Sequence, residues 1–571
     1  MSKDGSPDEA TNQDDPQEPE IPERRRFLGT AGALAAAATA GLGFRAAHAD
    51  PRPTRGGDGS QGAESEAAVR RAQAAAVRHS AEMRNKKLAM VDHPVNGDEA
   101  LYENRIGNYS KGLPHDALGH VDPIAYQQMI DALSTGRHGD LEQLTLGCPV
   151  ASEQRKLVNP MAGVAFDIQG VDSHQLAMRP APALASAEAA GEAVELYWMA
   201  LLRDVPFLDY DTQSVAHSAA AELSNLSDFR GPRAGGAVTT ATLFRDDLPG
   251  ALVGPYLSQF LWLDTPFGAE FVERRMRTLL PDTDCLTSYS EWLSVQNGCR
   301  PSQPEAFDPA RRYIRNGRDL AQWVHIDVLF QAYFSALLIL LGMGAPLSPA
   351  NPYKDSPTQE GFGTFGGPHA ATIACEPATR ALKAVWFQKW HVHRRLRPEV
   401  YGGRVHNHRT GAASYPLHAD VLGSQALARV FDRTGSYLLP QAFPEGSPLH
   451  PSYGAGHATV AGACVTMLKA LFDESYSIPN PVVPTPDGLA LEPYTGPDAE
   501  RLTVGGELNK VASNVATGRN MAGIHWRSDG VESLKLGEAV ALAMLRDHRE
   551  TFKEDFGGFT LTLFDGTPIT I

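Results

Sequence analysis

Apolar residues recur three and four positions apart along much of the chain, the spacing that lines one face of an α-helix. The pattern predicts helices over 64–87, 123–133, 185–202, 212–226, 265–280, 318–341, 377–396, 419–434, 457–472, 498–517 and 526–556. Within 318–341, Val328 to Leu341 is almost wholly apolar, but Asp327 and Gln331 interrupt the run. It falls short of the roughly 20 apolar residues a membrane span requires, so it reads as a central core helix. No span is expected in the mature protein. Alternation at period two is rare, and its best example, Leu561 to Ile571, predicts a short hairpin. Gly, Pro, Asn and His dominate between His93 and Asp122, which predicts an irregular stretch. No fixed-period repeat and no Pro/Ser-rich linker cuts the chain, so the expected class is all-α, with one large helical domain over 63–571.

The first 49 residues break this pattern. Asp, Glu, Pro, Gln and Ser fill the start, followed by Arg24-Arg25-Arg26-Phe27-Leu28, an Ala/Gly/Leu run to Phe44, and Ala47-His48-Ala49. A charged start, a weakly apolar middle and a small-x-small end predict a removable twin-arginine-type export signal, cleaved after Ala49. Residues 50–62, rich in Pro, Gly, Arg and Asp, read as a flexible leader.

Composition narrows the class further. At 571 residues and 42% hydrophobic, the chain can bury a large core. A formal charge of −16 argues against nucleic acid or an anionic membrane as a partner, because such surfaces attract clustered excess Lys and Arg. Five cysteines show no C-x-x-C pair, which argues against a zinc cluster. Cys285 and Cys299 enclose a short polar loop and are candidates for a disulfide if the protein is exported; Cys148, Cys375 and Cys464 read as unpaired thiols.

Against an acidic total, three segments concentrate local cations and imidazoles. In 386–398, Lys389 lies in a predicted helix and Arg397 precedes Pro398, which biases it out of the α region. A helix carrying Lys389 inward and ending on an irregular turn aims both at one point; taken alone, Arg394, Arg395 and Arg397 read as a solvated or salt-bridged helix end. In 450–457, Gly454-Ala455-Gly456-His457 stands where a helix starts. Glycines there let backbone N–H groups approach an anion, and the helix dipole favours negative charge. His457 would sit at the rim as an acid/base, the alternative being a tight turn without a ligand. In 518–529, Arg519 and His525 are separated by ~600° on a regular helix and would face apart, so they converge only if Gly518 and Gly523 break it. Asp529, one turn beyond His525, can fix the tautomer of its ring, or simply cap a helix. His391, His393, His406 and His408 form a loose cluster that reads as a pocket rim, because residues two apart on a helix do not share a face.

Taken together, the order Lys389, Arg397-Pro398, Pro451 to His457, Arg519, His525 and Asp529 resembles the three-part signature shared by vanadium-dependent haloperoxidases and a superfamily of acid phosphatases. The phosphatases place the Arg one residue closer to the Lys. The spacing here, with His450-Pro451-Ser452-Tyr453 before the turn, looks like the bromoperoxidase branch. The resemblance implies a domain built around two four-helix bundles and one vanadate per subunit. His525 would bond vanadium, Lys389, Arg397, Arg519 and the Gly456 N–H would hold its oxygens, and His457 would act as acid/base. It implies hydrogen peroxide, a halide and an organic acceptor as substrates, with Lys389 polarising the peroxide oxygen. Bromide is the expected halide, since His450 resembles the bromoperoxidase position; Trp386 resembles the chloroperoxidase one and leaves chloride as the alternative. A homodimer is expected from similar exported enzymes. One departure stands out: the family's usual Ser before Gly-His is Ala455. That leaves open a member that has lost halogenation, beside the other alternative, a secreted acid phosphatase working through a phosphohistidine at His525.

Overall fold

The computed structural model describes residues 60–571, so the predicted export signal and most of the predicted leader lie outside the described residues. Two compact units divide the chain at Ala72/Gln73. The first described helix, α1 (Ser60–Lys86), begins inside the expected leader. The class is all-α, as expected.

Capping chemistry sets many of the boundaries. α2 (Pro123–Thr135) starts on Asp122, whose carboxylate accepts Ala125 N–H, with Pro123 where no N–H is needed, and it ends on the left-handed Gly136. α3 (Ala187–Leu202) starts on Ser186 and is buried on nearly every side, carrying Glu192 and Glu195 into the core. α4 (Ser214–Asn225) and α5 (Tyr289–Gln296) follow.

Between them the sequence expectation of a helix over 265–280 is wrong. Pro266 and the positive-φ turn at Gly268 fold the segment into an antiparallel pair, β1 (Thr265–Phe267) and β2 (Glu270–Val272). β3 (Met276–Leu279) then pairs with β4 (Phe307–Arg312).

The predicted single helix over 318–341 is also two. α6 (Gly317–Ile326) and α7 (Gln331–Gly342) meet at a 100° bend. Polar groups placed inside the apolar run cause it: the Asp327 carboxylate is drawn to His457, and Gln331 Oε1 accepts Val328 N–H at 3.1 Å. Among the described residues, no single helix is long and apolar enough to cross a membrane.

α8 (Gly367–Cys375) and α9 (Pro377–Phe387) lead into a wide π-helical turn, Gln388–His393, which ends at the left-handed Arg394. α10 (Pro398–Arg409) starts directly after the extended Arg397. Gly423 and Ser424 interrupt the helix expected over 419–434, leaving Ala419–Leu422 and α11 (Gln425–Thr434).

The centre of the larger unit is α12 (Gly456–Leu471), which is buried along almost its whole length. Around it pack α9, α13 (Val504–Met521) and α14 (Arg527–Arg549). α12 and α14 cross closely enough that a Cβ on Gly462 would lie 2.1 Å from the Leu534 carbonyl oxygen. The loop after α12 holds the pair β5 (Val482–Pro484) and β6 (Leu491–Pro493). The predicted C-terminal hairpin is present as β7 (Thr560–Thr562) and β8 (Pro568–Thr570).

The disulfide differs from expectation. Cys299 is bonded to Cys148, with Cα atoms 5.0 Å apart, and Cys285 is a free thiol. Helix α5 occupies the loop between Cys285 and Cys299, and the Cys285 backbone is tied to Gln441 by bonds of 2.9 and 3.0 Å. Gln154 instead brings Cys148 and Cys299 together, pairing with Cys299 and accepting Cys148 N–H at 2.7 Å.

Candidate functional site: a buried anion cradle

The wide turn after α9 carries Lys389 into the interior, where it is fully buried. Its ammonium donates to the carbonyls of Pro451 and Ser452 at 2.8 and 2.9 Å. Arg397, extended before Pro398 as predicted, donates to the carbonyls of His450 and Ile524 at 3.0 and 2.8 Å. It also reaches His525 Nε2 and His450 Nδ1, both at 2.9 Å. The hydrogen bonds of both cations thus end on carbonyls and imidazoles and on no carboxylate.

His525 sits between α13 and α14. Of the two glycines expected to break the helix, only Gly523 does so, with φ +82°. Gly518 stays inside α13 because it is needed for packing: a Cβ there would lie 3.0 Å from Val324 side-chain carbons on α6. Arg519 therefore stays in the last turn of α13 and donates to the Val324 carbonyl at 2.7 Å.

Asp529, in the first turn of α14, takes His525 Nδ1–H at 2.8 Å. A carboxylate only accepts, so Nδ1 carries the hydrogen and Nε2 presents its lone pair, currently towards Arg397. Asp529 is itself held by Arg395 Nη1 at 2.9 Å and by the Ser452 hydroxyl.

Electrostatics ties the five predicted residues together. Burial pushes the His525 pKa well below the ordinary imidazole value, and the charges of Arg397, Lys389, Arg519 and His457 push it the same way. Burial, with Arg397 and Arg519, likewise lowers Lys389, against the pull of Asp529. Burial brings Arg397 down to about 10. A low-dielectric pocket with several mutually repelling cations favours an anion among them.

Gly456 and His457 open α12, so their N–H groups have no acceptor within the helix. His457 Nε2 donates to Asp327 at 3.0 Å. Trp386 and His450 pack with ring centroids 4.8 Å apart and planes tilted by 39°, and the Lys389 ammonium lies 5.6 Å from the Trp386 ring centroid. The positions that resemble the two halide branches thus form one wall.

Three contributors were missed. Asp327 registered only as an interruption of an apolar run. Arg395, read as a helix-end charge, is buried and bridges Asp529 to Glu192, the latter at 2.9 Å; Glu192 in turn accepts the Ser528 N–H. A carboxylate inside the apolar face of α3 was the available signal for Glu192. The loose histidine cluster does not form a metal site: His391 stacks on Phe387, His393 packs against Tyr453, and the Nδ1 atoms of His406 and His408 accept the N–H groups of Tyr437 and Tyr415.

The donor set suits an oxyanion that also takes one nitrogen ligand. Arg397 meets a neutral imidazole lone pair, Lys389 and Arg519 add their charge to the same surroundings, and among the described residues no group of three His, Cys, Asp or Glu is placed to hold a bare metal ion.

Comparison with known proteins identifies the family. A bromoperoxidase of Corallina pilulifera, described as vanadium-dependent, is 38% identical over 568 residues, covering 84% of this chain and 94% of its own. The chain belongs to the vanadium-dependent bromoperoxidase family. A second such relative, from Ascophyllum nodosum, is 38% identical over 483 residues, covering 81% of this chain and 86% of its own. The solved homohexameric structure of the second vanadate-dependent bromoperoxidase of Ascophyllum nodosum superposes with a TM-score of 0.84 at 32% identity, covering 94% of this chain and 95% of that one. Residues 431–554 match the family described as the VCPO second helical-bundle domain. In this bromoperoxidase family member that match spans α12, α13 and α14, the helices that carry His457, Arg519 and Asp529.

Proposed function

We propose that the protein is a vanadate-dependent haloperoxidase that uses hydrogen peroxide to oxidise bromide to a hypohalous equivalent, which halogenates an organic acceptor. The observation that carries this reading is the Arg397–His525–Asp529 string: a buried imidazole whose Nδ1 is fixed by a carboxylate and whose Nε2 faces Arg397, a buried cation whose hydrogen bonds end on carbonyls and imidazoles. Vanadate, when bound, supplies a Lewis acid that activates peroxide towards halide without changing its oxidation state.

The protein's part is to hold and to move protons. Lys389, Arg397 and Arg519 hold the oxyanion, one per subunit, through charge-assisted hydrogen bonds, and the Gly456 N–H adds a donor at the α12 N-terminus. His525 Nε2 is the ligand atom. His457 holds or releases a proton, and Asp327 orients its ring through Nε2. Trp386 and His450 would wall the side from which halide approaches, and Lys389 beside them would supply positive charge towards the oxygens of the held oxyanion. The phosphatase alternative gains no support from the relatives.

Purified protein given vanadate, peroxide and bromide halogenates a dimedone-type acceptor, and H525A loses both this activity and stoichiometric vanadium uptake. Halogenation that survived H525A intact would overturn the assignment. We further propose export by the twin-arginine-type signal, supported by the Cys148–Cys299 disulfide, which suits an oxidising destination. A mature N-terminus at Asp50 by mass spectrometry is the expected result. Self-assembly is part of the same proposal; light scattering separates the homodimer expected from sequence from a hexamer like that of the Ascophyllum relative.

A further inference from the structure

Two segments far apart in sequence supply the groups that hold the cradle. The end of α6 provides the Val324 carbonyl for Arg519 and the Asp327 carboxylate for His457. Residues 443–452 provide His450 and the carbonyls that hold Arg397 and Lys389.

One residue ties these segments together. His325 follows Val324, stacks on Phe443 at 3.7 Å between centroids, and places Nε2 2.7 Å from a Glu445 carboxylate oxygen. Its Nδ1 lies 3.2 Å from Glu305. The Glu445 carbonyl is anchored from elsewhere, by Lys111 Nζ at 2.9 Å and Arg155 Nη1 at 3.1 Å. The Glu305 contact is an ion pair without hydrogen-bond alignment, and an imidazole held between two carboxylates in this way is favoured as the doubly protonated cation.

We propose that His325 is a positioning residue for the oxyanion site: as an imidazolium shared by Glu445 and Glu305, it locks the end of α6 to the 443–452 loop and so keeps the partners of His457, Arg519, Arg397 and Lys389 in one arrangement. This rests on the oxyanion reading of the cradle.

Among the described residues, the charged groups facing His325 include Glu305 and Glu445, with Arg155 and Lys111 behind the Glu445 carbonyl and Asp327 two residues on. Burial opposes its charge, but the carboxylates of Glu305 and Glu445 more than offset that, so its pKa lies above the ordinary imidazole value. Glu445 is held down to about 2 by His325, against burial. The lock is therefore complete below the ordinary imidazole pKa and lost as pH rises through the higher folded value.

The test is calorimetric binding of inorganic vanadate to the full-length protein across pH, comparing wild type with H325F, which keeps a ring against Phe443. At mildly acidic pH the Kd of H325F is expected to be about tenfold weaker, in the range of ordinary coupling between sites. The ratio should fall towards one at alkaline pH; vanadate speciation affects both proteins and cancels. E305Q, which weakens the imidazolium, should move the pH of convergence down. A ratio of one throughout, a ratio independent of pH, or an unmoved convergence in E305Q would each overturn the inference. Wild type that bound no vanadate would instead sink the oxyanion reading, and this inference with it.

Discussion

Arg395 and Arg397 stand two residues apart and are both sealed from solvent, at 2% and 0% exposure, yet their surroundings are opposite. Arg395 is met by Glu192 and Asp529 and stacks over Trp526. Although burial works against it, those carboxylates raise its pKa. Arg397 is met by two carbonyls and two imidazoles, and burial lowers its pKa. A guanidinium neutralised from within the fold is scaffold; one answered only by neutral acceptors retains charge to offer a ligand.

Arg527 belongs with Arg395, since Glu195 and Asp246 surround it. Arg274 shows the limit of the rule. It too is buried and bonds only to the Ser335 hydroxyl and the Phe260 carbonyl, but it stands away from the cradle residues. Convergence of Lys389 and Arg397 with a neutral imidazole makes the site, and one such cation alone does not.

The contrast breaks most sharply at Arg395. R395M leaves Glu192 and Asp529 buried without their guanidinium, which costs about 3–5 kcal/mol, and the expected result is a large drop in melting temperature whether or not vanadate is added. R397M should do the reverse. Relief of cation repulsion offsets the loss of bonds to two carbonyls, so the melting temperature of the vanadate-free protein moves less, while vanadate affinity falls by about 1.5–3 kcal/mol, the worth of a hydrogen bond to a charged group. If both variants changed stability alike and left vanadate binding alike, the distinction between scaffold and cradle arginines would be lost. The smallest effect is expected from A455S, which restores a hydroxyl before Gly456. It should tighten vanadate binding by about 0.5–1.5 kcal/mol in titration, and the new N-cap should add slightly to thermal stability.

Features encoded by neighbours in sequence were legible beforehand. The residue before Pro398 is extended, Asp529 meets His525 one turn on, and Gly523 breaks the helix between Arg519 and His525, each for a local steric or periodic reason. What escaped was pairing across the fold. Asp327 meets His457 from another helix, Glu192 meets Arg395 across the core, and Cys299 reaches Cys148 over 151 residues; no local pattern separates a carboxylate or thiol with a distant partner from one without. The strands at 265–279 were missed for a different reason, since Pro266 and Gly268 were outweighed by apolar spacing that also fits a helix.

The wide turn at Gln388–His393 has a consequence for how this chain tolerates genetic change. A π turn holds one more residue than an α turn, so Lys389, Arg395 and Arg397 keep their aim only while that residue count is preserved. Point changes there alter one contact each. A one-codon deletion would swing everything downstream by about 100°, taking Arg395 off its carboxylates and Arg397 off His525 together. This stretch should therefore accumulate substitutions far more readily than gaps.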